Sequence, residues 1–476
     1  MTSTTAMLRA AGREPPLPSQ LMLAGGKALD VQQWLRILPG KRLVGRGEWQ
    51  GQQVLVKLFV ASGAERHWQR ESVGIQALQR AGITTPDLLD SGELAGGGHY
   101  LLTAFLSDAC SLQQCWDELP DQSPNSDAAA DILQSALTTI GSMHARGLAQ
   151  TDLHLGNFLR DGQGLLYVID GDAIEADKPG RPLAASIAQT NLALFFAQLT
   201  PAWDAHQARL LNAYLQAAES MPVDQQLLLA DVQRQRRQRL DDFLRKTLRD
   251  CSQFAVHRSF DRFSVVLRSE QHWLAPLLAD PNSVFTAQPL LKDGGSSTVT
   301  RATLDGREGV IKRYNIKGFG HWLKRFWRPS RAWHSWLAGW RLSFLGIATP
   351  KPLAMIERRI GPWRREAWLV TEYCPGQNLL EHLGEAGGHL PDQQTADALQ
   401  HIFKQLADAR ITHGDFKATN LLWHEGQVWL IDLDAMQAHD SEAGWRKGWG
   451  RDRARFIRNW PPGASLRTWL ESKLLG

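Results

Sequence analysis

Two rhythms of apolar and polar positions run along the chain, and they recur in the same order in its two halves. Leu43 to Gly51 followed by Val54-Leu55-Val56-Lys57-Leu58 reads as a strand, a glycine-containing turn and a second strand. Glu65 to Ala81 has helical spacing, and Gly82 with Pro86 ends it as a C-terminal cap and a proline stop do. Tyr100 to Phe105 reads as a buried strand, Asp127 to His144 as a helix, and Leu165 to Ile169 as a short apolar strand. A helical stretch near Ala184 to Gln198 follows without a long insertion, and the strongly basic Gln225 to Asp250 reads as a solvated helix closing the first half. The second half begins with strand-like runs at Phe254 to Leu267 and Ser283 to Ala287. A Gly/Ser turn at Asp293 to Thr298 then leads into strands at Val299 to Ala302 and Gly309 to Lys312. Trp368 to Tyr373 matches the earlier buried strand, and Arg451 to Trp460, stopped by Pro461-Pro462, is a helix placed like Thr190 to Gln198.

Candidate chemistry repeats in the same register. His413-Gly414-Asp415 is followed by Asn420 and, after the apolar run Val428 to Ile431, by Asp432. Earlier, Thr151-Asp152 is followed by Asn157 and, after Leu165 to Ile169, by Asp170. Asp152 to Asp415 and Asn157 to Asn420 each span 263 residues, and Asp170 to Asp432 spans 262. A single Asp-x4-Asn is commonly a loop with a capping aspartate and a turn asparagine. Two copies in register, each followed by an apolar run ending in aspartate, imply a duplicated domain. Phosphoryl transfer requires such a spacing: one carboxylate takes the proton of an attacking hydroxyl, while an amide oxygen and a second carboxylate hold Mg²⁺. Asp415 and Asp152 are thus the candidate bases, and Asn420, Asp432, Asn157 and Asp170 the candidate metal ligands. Lys57 and Lys312, late in β-rich runs, are candidate phosphate-pairing lysines, with Lys417 beside the second base as a further nucleotide contact. Glu71, in mid-helix, is positioned to pair with Lys57. Neither half has a complete G-x-G-x-x-G, although backbone amides of the Gly/Ser turn can still cover phosphates.

Length and charge narrow the partners. The 476 residues accommodate two domains, expected as a flexible Ser/Thr/Pro/Gly-rich 1–28, a first domain over 29–250 and a second over 251–476. The four cysteines lack paired metal spacing, and Cys110 with Cys115 reads as two buried thiols in a reducing compartment. The first twenty residues contain no apolar core of a signal peptide, and no apolar run is long enough for a membrane span. Net charge is only +4, so local clustering carries more information. Between Glu308 and Glu357 no acidic residue occurs, while Lys312, Lys324, Arg325, Arg328 and Arg331 are interleaved with Trp322, Trp327, Trp333, Trp336 and Trp340. Each feature alone is usual for a solvated face or a core; together they favour an anionic membrane surface or phosphorylated glycolipid. No nucleic-acid motif accompanies the run, so nucleic acid is not expected as a partner.

These residues resemble, in tandem, the lipopolysaccharide kinase (Kdo/WaaP) family. The resemblance rests on His413-Gly414-Asp415 with Asn420, on Ile431 to Asp434, on the helix exit Gly346 to Pro352, and on Arg453 to Trp460. It covers roughly residues 40–200 and 285–462. It implies an α+β fold of two tandem protein-kinase-like domains, each with a small β-rich N-lobe and a helical C-lobe. It further implies ATP and Mg²⁺ as cofactors, and phosphorylation of a heptose or Kdo hydroxyl of the lipopolysaccharide inner core. The enzyme would be cytoplasmic and peripheral to the inner membrane, with envelope-assembly proteins as further partners. Each copy departs from the pattern. Gln150-Thr151 replaces His-Gly before Asp152, so a bracing histidine is expected to be lost there. Aligning Gly346 with Gly82 puts Ser335 where Glu71 stands, so Lys312 is expected to lack its partner, with Glu308 or a substrate group substituting. The better-preserved second loop favours the second copy as active. A catalytically silent tandem scaffold, and a kinase of a soluble small molecule or protein, remain open.

Overall fold

The computed structural model describes residues 4–474 except 18, 25, 178–179, 220, 316–328 and 362. The chain forms two compact units, Met1–Arg237 and Gln238–Gly476.

In the first unit, helix α1 (Thr5–Ala10) precedes a six-stranded antiparallel sheet. Its strands are β1 (Ser19–Met22), β2 (Ala28–Leu38), β3 (Arg42–Trp49), β4 (Gln52–Phe59), β5 (Leu88–Glu93) and β6 (His99–Ala104), in the order β1-β2-β3-β4-β6-β5. The flexible N-terminus expected from composition is instead ordered in its described residues. Leu8, Leu21 and Leu23 are buried with Val54 and Val56 in the sheet core, and Arg9 Nε donates to the Val60 carbonyl at 2.7 Å. Apolar burial outweighed the Ser/Pro content. Strand β4 alternates in the two-residue period, with Val54, Val56 and Leu58 buried and Lys57 on the opposite face. Helix α2 (Glu65–Arg80) lies between β4 and β5 and ends in a Schellman turn: Ile83 N donates to Leu78 O at 2.9 Å and Gly82 N to Gln79 O at 3.0 Å.

The helical part begins with β7 (Cys110–Ser111), α3 (Leu112–Asp117) and α4 (Asp127–Ala145), the last capped by Ser126. Short strands β8 (Leu148–Gln150), β9 (Phe158–Arg160), β10 (Leu166–Val168) and β11 (Ile174–Ala176) frame the loop carrying Asp152 to Asp170, and α5 (Ala185–Phe196) and α6 (Gln207–Ala217) close the core. The thiols of Cys110 and Cys115 lie 2.8 Å apart; Cys110 is exposed, so the expectation of two buried thiols is corrected. Helix α7 (Gln225–Lys246) runs past the division between the units. It is not the wholly solvated helix its charge suggested: Leu228 and Val232 are buried in the first unit's core, and Leu240 and Leu244 in the second's.

The second unit repeats the plan. Strands β12 (Phe254–Arg258) and β13 (Arg262–Leu267) lead to α8 (Ala275–Ala279) and α9 (Ser283–Ala287). Ser283–Ala287 is thus a short helix and not a strand, because an apolar run of that length has no decisive period. Strands β14 (Leu290–Gly294), β15 (Ser297–Leu304) and β16 (Arg307–Tyr314), helix α10 (Arg331–Phe344), and strands β17 (Pro352–Ile360) and β18 (Trp363–Glu372) complete a sheet ordered β12-β13-β17-β18-β16-β15-β14. The segment β15-β16-β18-β17 reproduces β3-β4-β6-β5. Register agrees as well: Lys57 lies between Val44 and Leu101, and Lys312 between Val299 and Leu369. Helix α10 ends in the same Schellman turn as α2, at Gly346. Beyond it come β19 (Gln377–Asn378), α11 (Leu379–Leu383), α12 (Gln393–Asp408), β20 (Ile411–Thr412), β21 (Leu421–His424), β22 (Gln427–Leu430), β23 (Gln437–Ala438), α13 (Glu442–Ile457) and α14 (Ser465–Lys473). Among the described residues no helix is long and apolar enough to cross a membrane.

Candidate active site

In the second unit the loop between β20 and β21 carries His413 to Asn420, and the β21–β22 hairpin delivers Asp432. Asn420 Nδ2 donates to the Asp415 carbonyl at 2.9 Å and to its Oδ2 at 3.2 Å. That commits the amide nitrogen and leaves the amide oxygen as the donor available to a cation. Asp432 adopts a left-handed conformation with φ 60°, as Asp170 does with φ 69°. Such backbone is costly outside glycine, on the order of 1–3 kcal/mol, and persists where a side chain must be aimed. The oxygen ligands Asn420 and Asp432, and likewise Asn157 and Asp170, are of the hard type that Mg²⁺ takes.

A buried frame holds this loop. The His413 ring is almost fully enclosed, and burial lowers its pKa, so the imidazole is neutral. Its Nε2 sits 2.9 Å from the Ile431 carbonyl; a carbonyl only accepts, so Nε2 carries the proton. Asp452, from α13, accepts from His413 N at 2.6 Å and from Gly414 N at 3.0 Å. Burial raises the Asp452 carboxyl above the usual range, against the pull of those two amides. Gly414 has φ 77°, and a Cβ there would lie 2.5 Å from the Ala435 carbonyl, so only glycine fits. The sequence reading did not single out Asp452; a buried acid in the midst of an arginine-rich helix was the available signal.

Asp415 is engaged on both oxygens, by Lys417 Nζ at 3.3 Å and by Arg455. In the first unit Asp152 is largely exposed, with His154 at 3.9 Å in the place of Lys417. Asn157 Nδ2 donates to the Asp152 carbonyl at 2.7 Å. The missing histidine is replaced functionally: Gln150 Nε2 donates to the Ile169 carbonyl at 2.8 Å, the bond that His413 makes to Ile431. The expected loss of the brace is therefore corrected. The helix partner also changes sign, since Asn191 donates to the Gln150 carbonyl at 2.8 Å where Asp452 accepts from amides.

The two lysines differ most. Lys57 Nζ lies 2.5 Å from Glu71 Oε1 and 3.8 Å from Asp170. Glu71, fully buried, also accepts from Gly171 N at 3.1 Å. Lys312 pairs with Asp432 and, at 2.8 Å, with Asp434. Glu308, the expected substitute for a helix glutamate, is bound to Arg301 at the strand surface and does not reach Lys312.

The basic, tryptophan-rich interval divides. Lys324, Arg325, Arg328, Trp322 and Trp327 lie outside the described residues. Trp336 and Trp340 belong to the core, packed against Phe254, and Arg331 is bound to Asp434 at 2.5 Å. Trp336 and Trp340 therefore serve the second unit's interior, whereas Arg331 is exposed and is held by Asp434. A cleft of about 940 Å³ opens beside the Asp415 loop, lined by Gly414, Lys447, Arg451, Arg455, Arg458 and Arg467.

No curated protein matches the chain in sequence. Among solved structures, "WaaP in complex with acyl carrier protein" aligns at 21% identity over 44% of this chain and 89% of that one, with a TM-score of 0.34. "Structure of vaccinia related kinase 3" aligns at 13% identity over 50% and 79%, with a TM-score of 0.31. The family whose profile the chain matches is the Lipopolysaccharide kinase (Kdo/WaaP) family, over residues 305–449, a span that holds Lys312, Asp415, Asn420, Asp432 and Asp434.

Proposed function

We propose that the protein is an ATP-dependent kinase of a sugar hydroxyl in the lipopolysaccharide inner core, built as two kinase-like domains, with the second catalytic. The observation that carries this is the coincidence of the family match with the second unit's constellation. Asp415 receives the proton of the attacking hydroxyl, and its oxygens become available as the acceptor displaces Arg455 and Lys417. Lys312 pairs with the nucleotide phosphates, and Asn420 with Asp432 holds Mg²⁺, which screens phosphate charge when bound. The cleft beside the loop is rich in arginine and lysine, which suits an acceptor bearing carboxylate or phosphate groups. Such an acceptor is membrane-bound, so the enzyme works at the cytoplasmic face of the inner membrane, and the basic sequence around Lys324, Arg325 and Arg328, which lies outside the described residues, suits an anionic partner. The first unit, with Lys57, Glu71, Asp152, Asn157 and Asp170, retains nucleotide binding and contributes less turnover.

The test is ATP consumption by the full chain with lipopolysaccharide core present, comparing Asp415→Asn with Asp152→Asn. The reading expects Asp415→Asn to remove most activity and Asp152→Asn to remove little. The opposite ranking overturns the assignment of the second unit as catalytic.

A further inference from the structure

The phosphate-pairing lysine of such a site is a flexible ammonium on a four-carbon stem, and it needs a fixed carboxylate to hold it in place. In the first unit that carboxylate is Glu71 on helix α2, bound to Lys57 and to the amides of Gly171 and Asp172. In the second unit the matching helix position is Ser335, which has no charge. We infer that Asp434, on the loop after β22, is the anchor of Lys312, so that the carboxylate has moved from the helix to the loop.

Four donors converge on Asp434. Its Oδ2 takes Lys312 Nζ at 2.8 Å and Arg331 Nη2 at 2.5 Å; its Oδ1 takes the Tyr314 hydroxyl at 2.7 Å and Ser335 Oγ at 2.7 Å. A carboxylate has about four lone-pair sites, so this one is saturated and has no capacity left for a metal ion. The direction of the tie between helix and loop is inverted. Glu71 on the helix accepts from loop amides, whereas Ser335 on the helix donates to the loop carboxylate. The neighbours change in concert. Phe59, two residues after Lys57, has no hydroxyl; Tyr314, two residues after Lys312, has one and spends it on Asp434. Asp172, the first unit's counterpart of Asp434, is taken by Arg70 at 3.2 Å and His67 at 3.3 Å and leaves Lys57 to Glu71. The same Asp-x-Asp thus serves two purposes within one chain, according to what stands on the helix opposite. Asp434 is a positioning residue: it acts through Lys312 and touches no reacting atom.

The inference rests on the second unit binding nucleotide, and the experiment separates the two claims. An acyl-phosphate derivative of ATP acylates lysines beside the nucleotide phosphates, and peptide mass spectrometry of the full chain reads Lys312 and Lys57 separately. Wild type should be labelled at Lys312 in a manner competed by Mg·ATP. Asp434→Asn, nearly isosteric, should lower Lys312 labelling by about tenfold or more, with Lys57 unchanged as the labelling control and the second unit's calorimetric unfolding transition retained as the folding control. Adding Ser335→Glu to Asp434→Asn should restore labelling to within about threefold, because it returns a carboxylate to the helix position used in the first unit. Equal labelling of wild type and Asp434→Asn overturns the inference alone. Loss without recovery in the double variant, where the second unit's unfolding transition is retained, also overturns it by giving Asp434 another role. Absence of competed Lys312 labelling in wild type overturns the nucleotide reading of the second unit, and this inference with it.

Discussion

Asp452 offers the sharpest structural perturbation of the candidate site. Its carboxylate is 3% exposed and bonds the backbone amides of His413 and Gly414, which immediately precede Asp415. Asp452→Ala leaves both amides buried without acceptors. Each unmatched group costs on the order of 1–3 kcal/mol, so the pair costs about 4 kcal/mol. A unit of this size shifts by roughly 2–4 °C per kcal/mol, which places the second unit's unfolding about 10 °C lower. Asp452→Asn keeps one acceptor oxygen and should cost about 1–2 kcal/mol. Differential scanning calorimetry of the full chain resolves the shift, and hydrogen exchange over residues 411–416 localises it. Exchange there should quicken in Asp452→Ala while peptides around Asp152 stay protected. A midpoint within about 2 °C of wild type, with unchanged exchange at 411–416, refutes the reasoning, because the two amides would then have found other partners.

Two further outcomes follow from the first unit. Gln150→Ala should lower its stability by about 1–2 kcal/mol through loss of the bond to Ile169 O, whereas Gln150→His should recover most of that, as urea unfolding midpoints will tell. Buried His144 bonds the Tyr214 hydroxyl and Asn191, and burial lowers its pKa to about 4, only partly opposed by Asn191. Its neutral form is favoured by folding, so the contribution is complete above the ordinary histidine pKa of about 6.5 and is lost as pH falls toward 4. Stability should drop by about 2 kcal/mol between pH 7 and 5, and His144→Asn should flatten that dependence; an unchanged slope in the variant contradicts the assignment.

Much of the site was legible because its spacing is set by chemistry. Asp415, Asn420 and Asp432 lie close in sequence, so their repeat at Asp152, Asn157 and Asp170 could be read directly, and the strands, helices and Schellman glycines around them followed from periodicity. What escaped depends on contacts across the sequence. Asp434 meets Lys312 from 122 positions away, and nothing local marks a carboxylate that replaces a helix glutamate. Gln150 replaces a histidine by presenting the same N–H to the same carbonyl, an equivalence of geometry rather than of residue type. The N-terminal segment was misjudged because Leu8, Leu21 and Leu23 are sparse in the sequence, yet all turn into the sheet core. Interleaved with basic residues, Trp336 and Trp340 favoured an anionic surface in the sequence, and only packing against Phe254 decides for the core.

The central claim concerns the acceptor, and one measurement addresses it most directly. Purified lipopolysaccharide core oligosaccharide is incubated with the full chain, ATP and Mg²⁺, and its mass is compared with that from a parallel incubation with Asp415→Asn. The account predicts a gain of one phosphate per oligosaccharide with wild type and little or none with the variant. An oligosaccharide of unchanged mass, from protein that nonetheless binds Mg·ATP, would contradict it.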